Sequence, residues 1–226
     1  MNAWDRLQLA TTWPHTTPTY RLQLTQAPED QPLSFEDAAL HLRLGDPAGA
    51  EAVMQQPLVE RMIAAAVGEV QRYCDAAIMT QKWKLTTPWL PTPAYLPKAP
   101  LQSVDSIKDP AGATVDPTTY RVTIDERMPG AIMPVSGIWP FSPPGYWGGG
   151  GGYWGGVPPS PPVEIEFTAG RDDAADVPAE LIQAMLLMIG TWFMHRESAQ
   201  PFTLSVIPEH AGVMALLDPF RVEVLA

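Results

Sequence analysis

Apolar and polar positions alternate with two different periods along the chain. Between Pro178 and His195, Leu181, Ile182, Met185, Met188, Ile189, Trp192 and Phe193 recur at spacings of three and four, which predicts an amphipathic helix. Pro178 suits its first turn, where a missing N–H costs nothing. Leu187 and Met194 fall on the opposite side with Glu180, Gln183 and Thr191, so the helix is apolar nearly all round and calls for partners on more than one face. The same period predicts a helix over 57–74, carried by Leu58, Val59, Met62, Ile63, Ala66, Val67, Val70 and Tyr73. A short helix over 34–44 begins with a capping box at Ser34 and Asp37 and stops at Gly45-Asp46-Pro47. Another short one, over 209–217, carries Val213, Met214, Leu216 and Leu217.

Elsewhere the period is two. Tyr20–Leu24, Thr80–Thr87, Leu101–Lys108, Tyr120–Ile124, Ala131–Val135 and Val163–Thr168 read as strands. In the last of these Val163, Ile165 and Phe167 point one way, and Glu164 and Glu166 point to solvent or to a partner. Residues 88–100 read as a proline-rich turn. Residues 138–162 hold Trp139, Tyr146, Trp147, Tyr153 and Trp154 around five consecutive glycines, a composition that fits no regular element. This stretch is either a loop covering its own sheet or a protruding loop whose aromatics contact a neighbour. The expected fold is α+β: a helical bundle of about four helices with a small antiparallel β-domain (β-region 80–168) and extended arms and loops. An N-terminal arm spans 1–32, the main domain 33–222, and a tail 218–226. In the tail Phe220, Val222 and Val224 alternate with Arg221 and Glu223, a pattern suited to adding a strand to a sheet edge.

Composition narrows the function classes. Of 226 residues 46% are hydrophobic, enough for a sizeable core. The net charge of −11, with four lysines, argues against a protein that grips nucleic acid through its phosphates. Residues 163–180 concentrate Glu164, Glu166, Asp172, Asp173, Asp176 and Glu180 against Arg171 alone, a local balance of −5. Residues 1–12 lack the pattern of a secretory signal, and the most apolar run, 181–194, is too short to span a bilayer. A single cysteine, Cys74, excludes an internal disulfide and fits a reducing compartment; its place on an apolar helix face reads as a buried, inert thiol.

Catalytic signatures are absent. The histidines show no ligand spacing, the pentaglycine has no following Lys-Ser or Lys-Thr, and neither G-x-S-x-G nor H-E-x-x-H occurs. Asp172-Asp-Ala-Ala-Asp176 has the shape of the DDxxD motif with which terpenoid synthases hold magnesium, and three such carboxylates suit a hard cation. Here they precede Pro178 at a helix entry, where capping and dipole compensation account for them. No metal and no cofactor is expected.

Several separate motifs occur in a telling order: LSFEDAALHLRL (33–44), QRYCDAAIMTQKWKL (71–85), LPKAPLQSVDSI (96–107), DPTTYRV (116–122), VEIEFTAGRDDAADVPAELIQAMLLMIGTWFMHRES (163–198) and LLDPFRV (216–222). The chain resembles the tailed-phage head–tail connector family, of the gp6-like and gp15-like adaptor type. Ala99-Pro100, Ala169-Gly170-Arg171 and Phe220 depart from that family's pattern. The 138–162 insert is longer than its loop, and the arm 1–19 is extra.

The resemblance implies a structural subunit and no catalysis. It implies a ring of copies, typically dodecameric, under the portal protein, bridging it to a stopper or tail-completion protein. DNA passes through the lumen without specific binding, and no membrane is involved. It places the protein in the virion at the head–tail interface, assembled in the host cytoplasm. On this reading Leu187, Thr191 and Met194 contact the next subunit. Phe220, Arg221, Val222, Val224 and Leu225 dock on the portal. Trp139, Tyr146, Trp147, Tyr153 and Trp154, with the arm, touch a neighbour. Glu164, Glu166, Asp172, Asp173 and Asp176 form an acidic surface that repels DNA. A carbohydrate- or receptor-binding virion module using the aromatic loop is the alternative; a metal-dependent enzyme built on the three aspartates is a further rival.

Overall fold

A computed structural model describes residues 20–126, 128–141, 161–195 and 211–222. Its helices are α1 (Phe35–Leu42), α2 (Ala50–Cys74), α3 (Ala179–Met194) and α4 (Ala211–Leu217). Its strands are β1 (Arg21–Gln26), β2 (Gln81–Thr87), β3 (Ala94–Tyr95), β4 (Leu101–Lys108), β5 (Tyr120–Thr123), β6 (Ala131–Pro134) and β7 (Val163–Ala169). The fold is α+β, as the two periods predict.

The strands form two antiparallel sheets, of order β1-β2-β7-β4 and β3-β6-β5. The larger is organised on β7, the most buried strand, which pairs with β2 on one side and β4 on the other. Cross-strand register lines up apolar rows. One runs Leu22, Leu85, Ile165, Ile107, and the next runs Leu24, Trp83, Phe167, Val104. Ile165, Phe167 and Ile107 are fully enclosed. Each such side chain contributes about 1.5–3 kcal/mol by leaving water. β3, the two-residue strand inside the proline-rich 88–100 stretch, is absent from the sequence reading because two residues are too few to show a period.

The helices enclose a second core. Ala38 of α1, Val59, Ile63, Ala66 and Val70 of α2, Leu181, Met185 and Ile189 of α3, and Val213 and Leu217 of α4 meet there. Ser34 caps α1 as its sequence predicts: its hydroxyl accepts from the Asp37 N–H at 3.1 Å and donates to the Asp37 carboxylate at 2.7 Å. The left-handed cap at the other end is Arg43, not Gly45. The second helix begins at Ala50, seven residues before its predicted start, with Pro57 inside it. A proline removes one backbone bond, and burial of Ala52 and Val59 on either side holds the helix through it.

The two cores join at 76–80 and 169–172. Ala76, Ile78 and Met79 pack into the helical core, whereas Ala77 packs into the sheet core. The Arg171 N–H donates to the Ile78 carbonyl at 3.1 Å, and the Thr80 N–H donates to the Arg171 carbonyl at 3.0 Å. Between them Gly170 adopts φ +111°, and a Cβ there would lie 2.1 Å from the Met79 carbonyl oxygen. Neither the dihedral nor the space admits a side chain. Gly170→Ala is therefore expected to lower unfolding free energy by about 3 kcal/mol or more, measured by urea denaturation; an unchanged midpoint would contradict this account of the joint.

Candidate assembly site

The outer face of α3 carries one exposed stripe. Leu187 is 37% exposed and Met194 75%, with half-buried Thr191 between them. The Thr191 hydroxyl donates to the Leu187 carbonyl at 2.9 Å, one turn back, so its polarity is spent locally and its methyl is left to the surface. Beside the stripe lies a groove of about 120 Å³ between α2, α3 and α4, lined by Tyr73, Met188, Thr191, Trp192, Val213 and Leu217 among others. Helical periodicity places Leu187, Thr191 and Met194 together; the groove depends on how three helices pack and has no local signal.

The C-terminal segment differs from its expectation. Residues Asp218–Phe220 form a 3-10 turn, not a strand, and Phe220 packs on the helical core. Arg221 sits 5.7 Å from the Tyr73 ring centroid, and the Val222 N–H donates to the Cys74 carbonyl at 3.0 Å. The Tyr73 phenol donates to Asp218 at 2.6 Å, and that bond raises its pKa. Alternation in Phe220–Val222 is thus satisfied by the chain's own second helix, whose last carbonyls need donors. Val224 and Leu225 lie outside the described residues.

Trp139, expected in a neighbour-contact loop, is 2% exposed in its own chain. Its indole donates to the Pro91 carbonyl at 3.1 Å and stacks on Phe141 at 5.6 Å between centroids. This corrects the reading for that residue: an amphipathic ring with a partner for its N–H belongs to the core. Tyr146, Trp147, Tyr153 and Trp154 lie outside the described residues.

The acidic residues are brought to two places. Glu164 pairs with Lys84 at 2.8 Å, and Glu166 accepts from Ser106 at 3.2 Å. Both stand on the outer sheet face with Lys84, Lys108 and Arg21 in register, so that face is mixed in charge rather than acidic. Arg21, Lys84 and Lys108 enter from β1, β2 and β4, so the charges along 163–180 alone do not reveal them. Asp172, Asp173 and Asp176 are exposed at the turn before α3. Asp172 accepts from Thr80 at 2.6 Å and from Gln102 at 3.0 Å, and Asp173 caps the 3-10 turn by accepting from the Ala175 N–H at 2.9 Å. Burial lowers the pKa of nearby Arg171, while Asp176 and Glu126 act against that. Among the described residues no group of three or more His, Cys, Asp or Glu is placed to hold a metal ion, and no helix is long and apolar enough to cross a membrane.

Sequence reasoning also missed exposed apolar side chains on the small sheet and its flanks, namely Tyr95, Ile124, Met133 and Val135, and those at the bundle end, Leu40, Val53 and Met54. A period of two does not say which face of a sheet is covered.

No family model matches the chain, and no curated protein matches it. Solved structures do. A chain in the neck of an empty gene transfer agent particle, computed with C6 symmetry, aligns with a TM-score of 0.69 at 22% identity, covering 91% of this chain and 97% of that one. A chain from the virion of a native gene transfer agent particle gives 0.67 at 24% identity over 91% and 97%. A chain in the neck of the native particle, computed with C12 symmetry, gives 0.58 at 20% over 90% and 98%. The likeness is one of fold, and it runs nearly end to end in both directions.

Cys74 lies buried where α2 meets α4, and burial pushes its thiol from 9.0 up to about 11. It is expected to resist a thiol reagent at pH 8 until the protein unfolds, with reaction at least about 100-fold slower in the native state. Because the folded thiol holds its proton more tightly than the unfolded one, its contribution to stability is fully present below about pH 9 and is lost as pH rises through about 11. A native thiol titrating at its ordinary value would refute both expectations.

Proposed function

We propose that this protein is a structural head–tail adaptor of a phage-like particle. It acts without catalysis: copies form a ring in the neck of the virion, join the portal protein to the stopper or tail-completion protein, and surround the DNA channel. The observation that carries this reading is the two-way, nearly full-length fold likeness to chains of gene transfer agent particles, two of them in necks computed with C6 and C12 symmetry. The motif order in 33–222 supports the same assignment independently.

A closed ring needs a head-to-tail contact, in which two different patches of one subunit meet across each boundary. The Leu187–Thr191–Met194 stripe and its adjoining groove supply one patch: apolar, continuous and on a rigid helix. The portal contact falls to the end of the tail. Phe220, Arg221 and Val222 act as its anchor on α2, so that Val224 and Leu225 leave from a fixed point. Tyr146, Trp147, Tyr153 and Trp154 serve as neighbour contacts. Asp172, Asp173 and Asp176, exposed in a chain of net charge −11, favour a surface past which DNA slides.

Two measurements test this. Size-exclusion chromatography with light scattering on a mixture with its portal protein should give a stable complex of defined stoichiometry, and separate elution would remove the adaptor reading. Leu187→Asp places a charge on an exposed site, so melting should shift by no more than a few degrees. Ring formation or portal-driven assembly should weaken at least about tenfold, the effect of a desolvated unpaired charge in a contact. Normal assembly by the variant would exclude this stripe as the contact.

A further inference from the structure

A closed ring of head-to-tail contacts needs a second patch, different from the α3 stripe and its groove. Among the described residues the three most exposed large apolar side chains are Met54 at 83%, Leu40 at 76% and Met194 at 75%. Met194 belongs to the stripe. Met54 and Leu40 stand with half-exposed Val53 at the bundle end, on α1 and the first turns of α2. Ala38, Ala39 and Ala52 are fully buried beside them, so these side chains project from anchored helices and not from a loop. Within a single chain, leaving Met54 in water gains nothing.

We propose that Met54 of one copy seats in the Tyr73–Trp192 groove of the next copy, while its Leu40 and Val53 cover the adjoining Leu187–Met194 stripe; this rests on the ring reading above. Three properties of the two patches match. The first is size. The groove holds about 120 Å³, and a cavity of about 150 Å³ takes a benzene molecule, so it accepts one large apolar side chain. The second is chemistry. Tyr73 and Trp192 line the groove together with Met188 and Val213. A methionine is unbranched, fills irregular gaps and makes favourable contacts between its sulfur and aromatic rings. The third is direction. Val53 and Tyr73 lie on the same helix, about 160° apart round its axis and about 30 Å apart along it. The two patches therefore face opposite ways and cannot meet within one copy. That is the arrangement a head-to-tail contact requires, with a projection on one side of the chain and a recess on the other.

Photocrosslinking tests the pairing. The full chain with a benzophenone amino acid in place of Met54, mixed with its portal protein and irradiated, should crosslink to peptides that hold Tyr73, Trp192 or Met214. Such a product is intermolecular, because these residues lie far from Met54 in its own chain. Met54→Asp should melt within a few degrees of the parent, since the site is exposed, and should assemble at least about tenfold more weakly, the effect of losing an anchor from a pocket. Met54→Leu, which keeps an apolar side chain of similar volume, should assemble close to the parent. Rings in which position 54 crosslinks to the portal protein or to another face of the chain would overturn the pairing and leave the adaptor reading standing. Normal assembly of Met54→Asp would do the same. If the parent forms no ring with its portal protein, the pairing and the adaptor reading both fall.

Discussion

The close approach of Gly170 to the Met79 carbonyl is the constraint on which the rest of the structure depends. It brings the end of β7 against the strand-like run that leaves α2, and there the two cores meet. Residues 76–79 divide their side chains between both cores, while the backbone bonds of Ile78, Thr80 and Arg171 fix the seam. Any side chain at 170 would push the sheet away from the bundle. The seam is reinforced at its rim, where Gln102 donates to the Gly170 carbonyl at 2.9 Å and to Asp172, and Thr80 donates to the same carboxylate. Lys98 meets Asp75 at 2.5 Å and lies over Trp83. Asp172, in the turn before α3, therefore works as a fastener of this joint.

A rigid joint suits the proposed role, in which the chain would present several surfaces in fixed relation. The third helix starts one 3-10 turn beyond the seam and carries the exposed Leu187–Met194 stripe. The fourth helix and the 3-10 turn after it return the chain to the end of α2, where Tyr73, Cys74, Asp218 and Val222 tie it down. Both features are thus referenced to α2, and α2 is referenced to the sheet through residues 75–80. Deforming one of these contacts would shift the others as a unit, since packed interiors transmit strain rather than absorb it.

Elements with a strong period were legible in the sequence. The third helix, with five fully buried apolar residues at spacings of three and four, and β7, with alternate residues at zero exposure, match their predicted limits to within one residue. What was not legible required knowledge of neighbours. Pro57 looks like a helix start because a missing N–H is costless there, and only burial on both sides of it shows the helix continuing. Trp139 belongs by composition to the glycine-rich insert, and its burial depends on Pro91 and Phe141. Phe220 and Val222 alternate as a strand does, and the open carbonyls of α2 capture them instead. Glu164 and Glu166 look like an acidic wall in one dimension and become a mixed face once Lys84 and Lys108 arrive from the adjacent strands. In the candidate site, the Leu187–Thr191–Met194 stripe came from local periodicity alone, while the groove beside it exists only after three helices pack.

The proposed role is that of a ring-forming protein in the neck of a particle. Electron cryomicroscopy of the assembled particle, reconstructed at the neck, tests it most directly. The account predicts a closed ring of this fold against the portal, with Leu187 and Met194 at each subunit boundary and the tail after Val222 directed to the portal. Density for this fold elsewhere in the particle, or a neck built without it, would contradict the account.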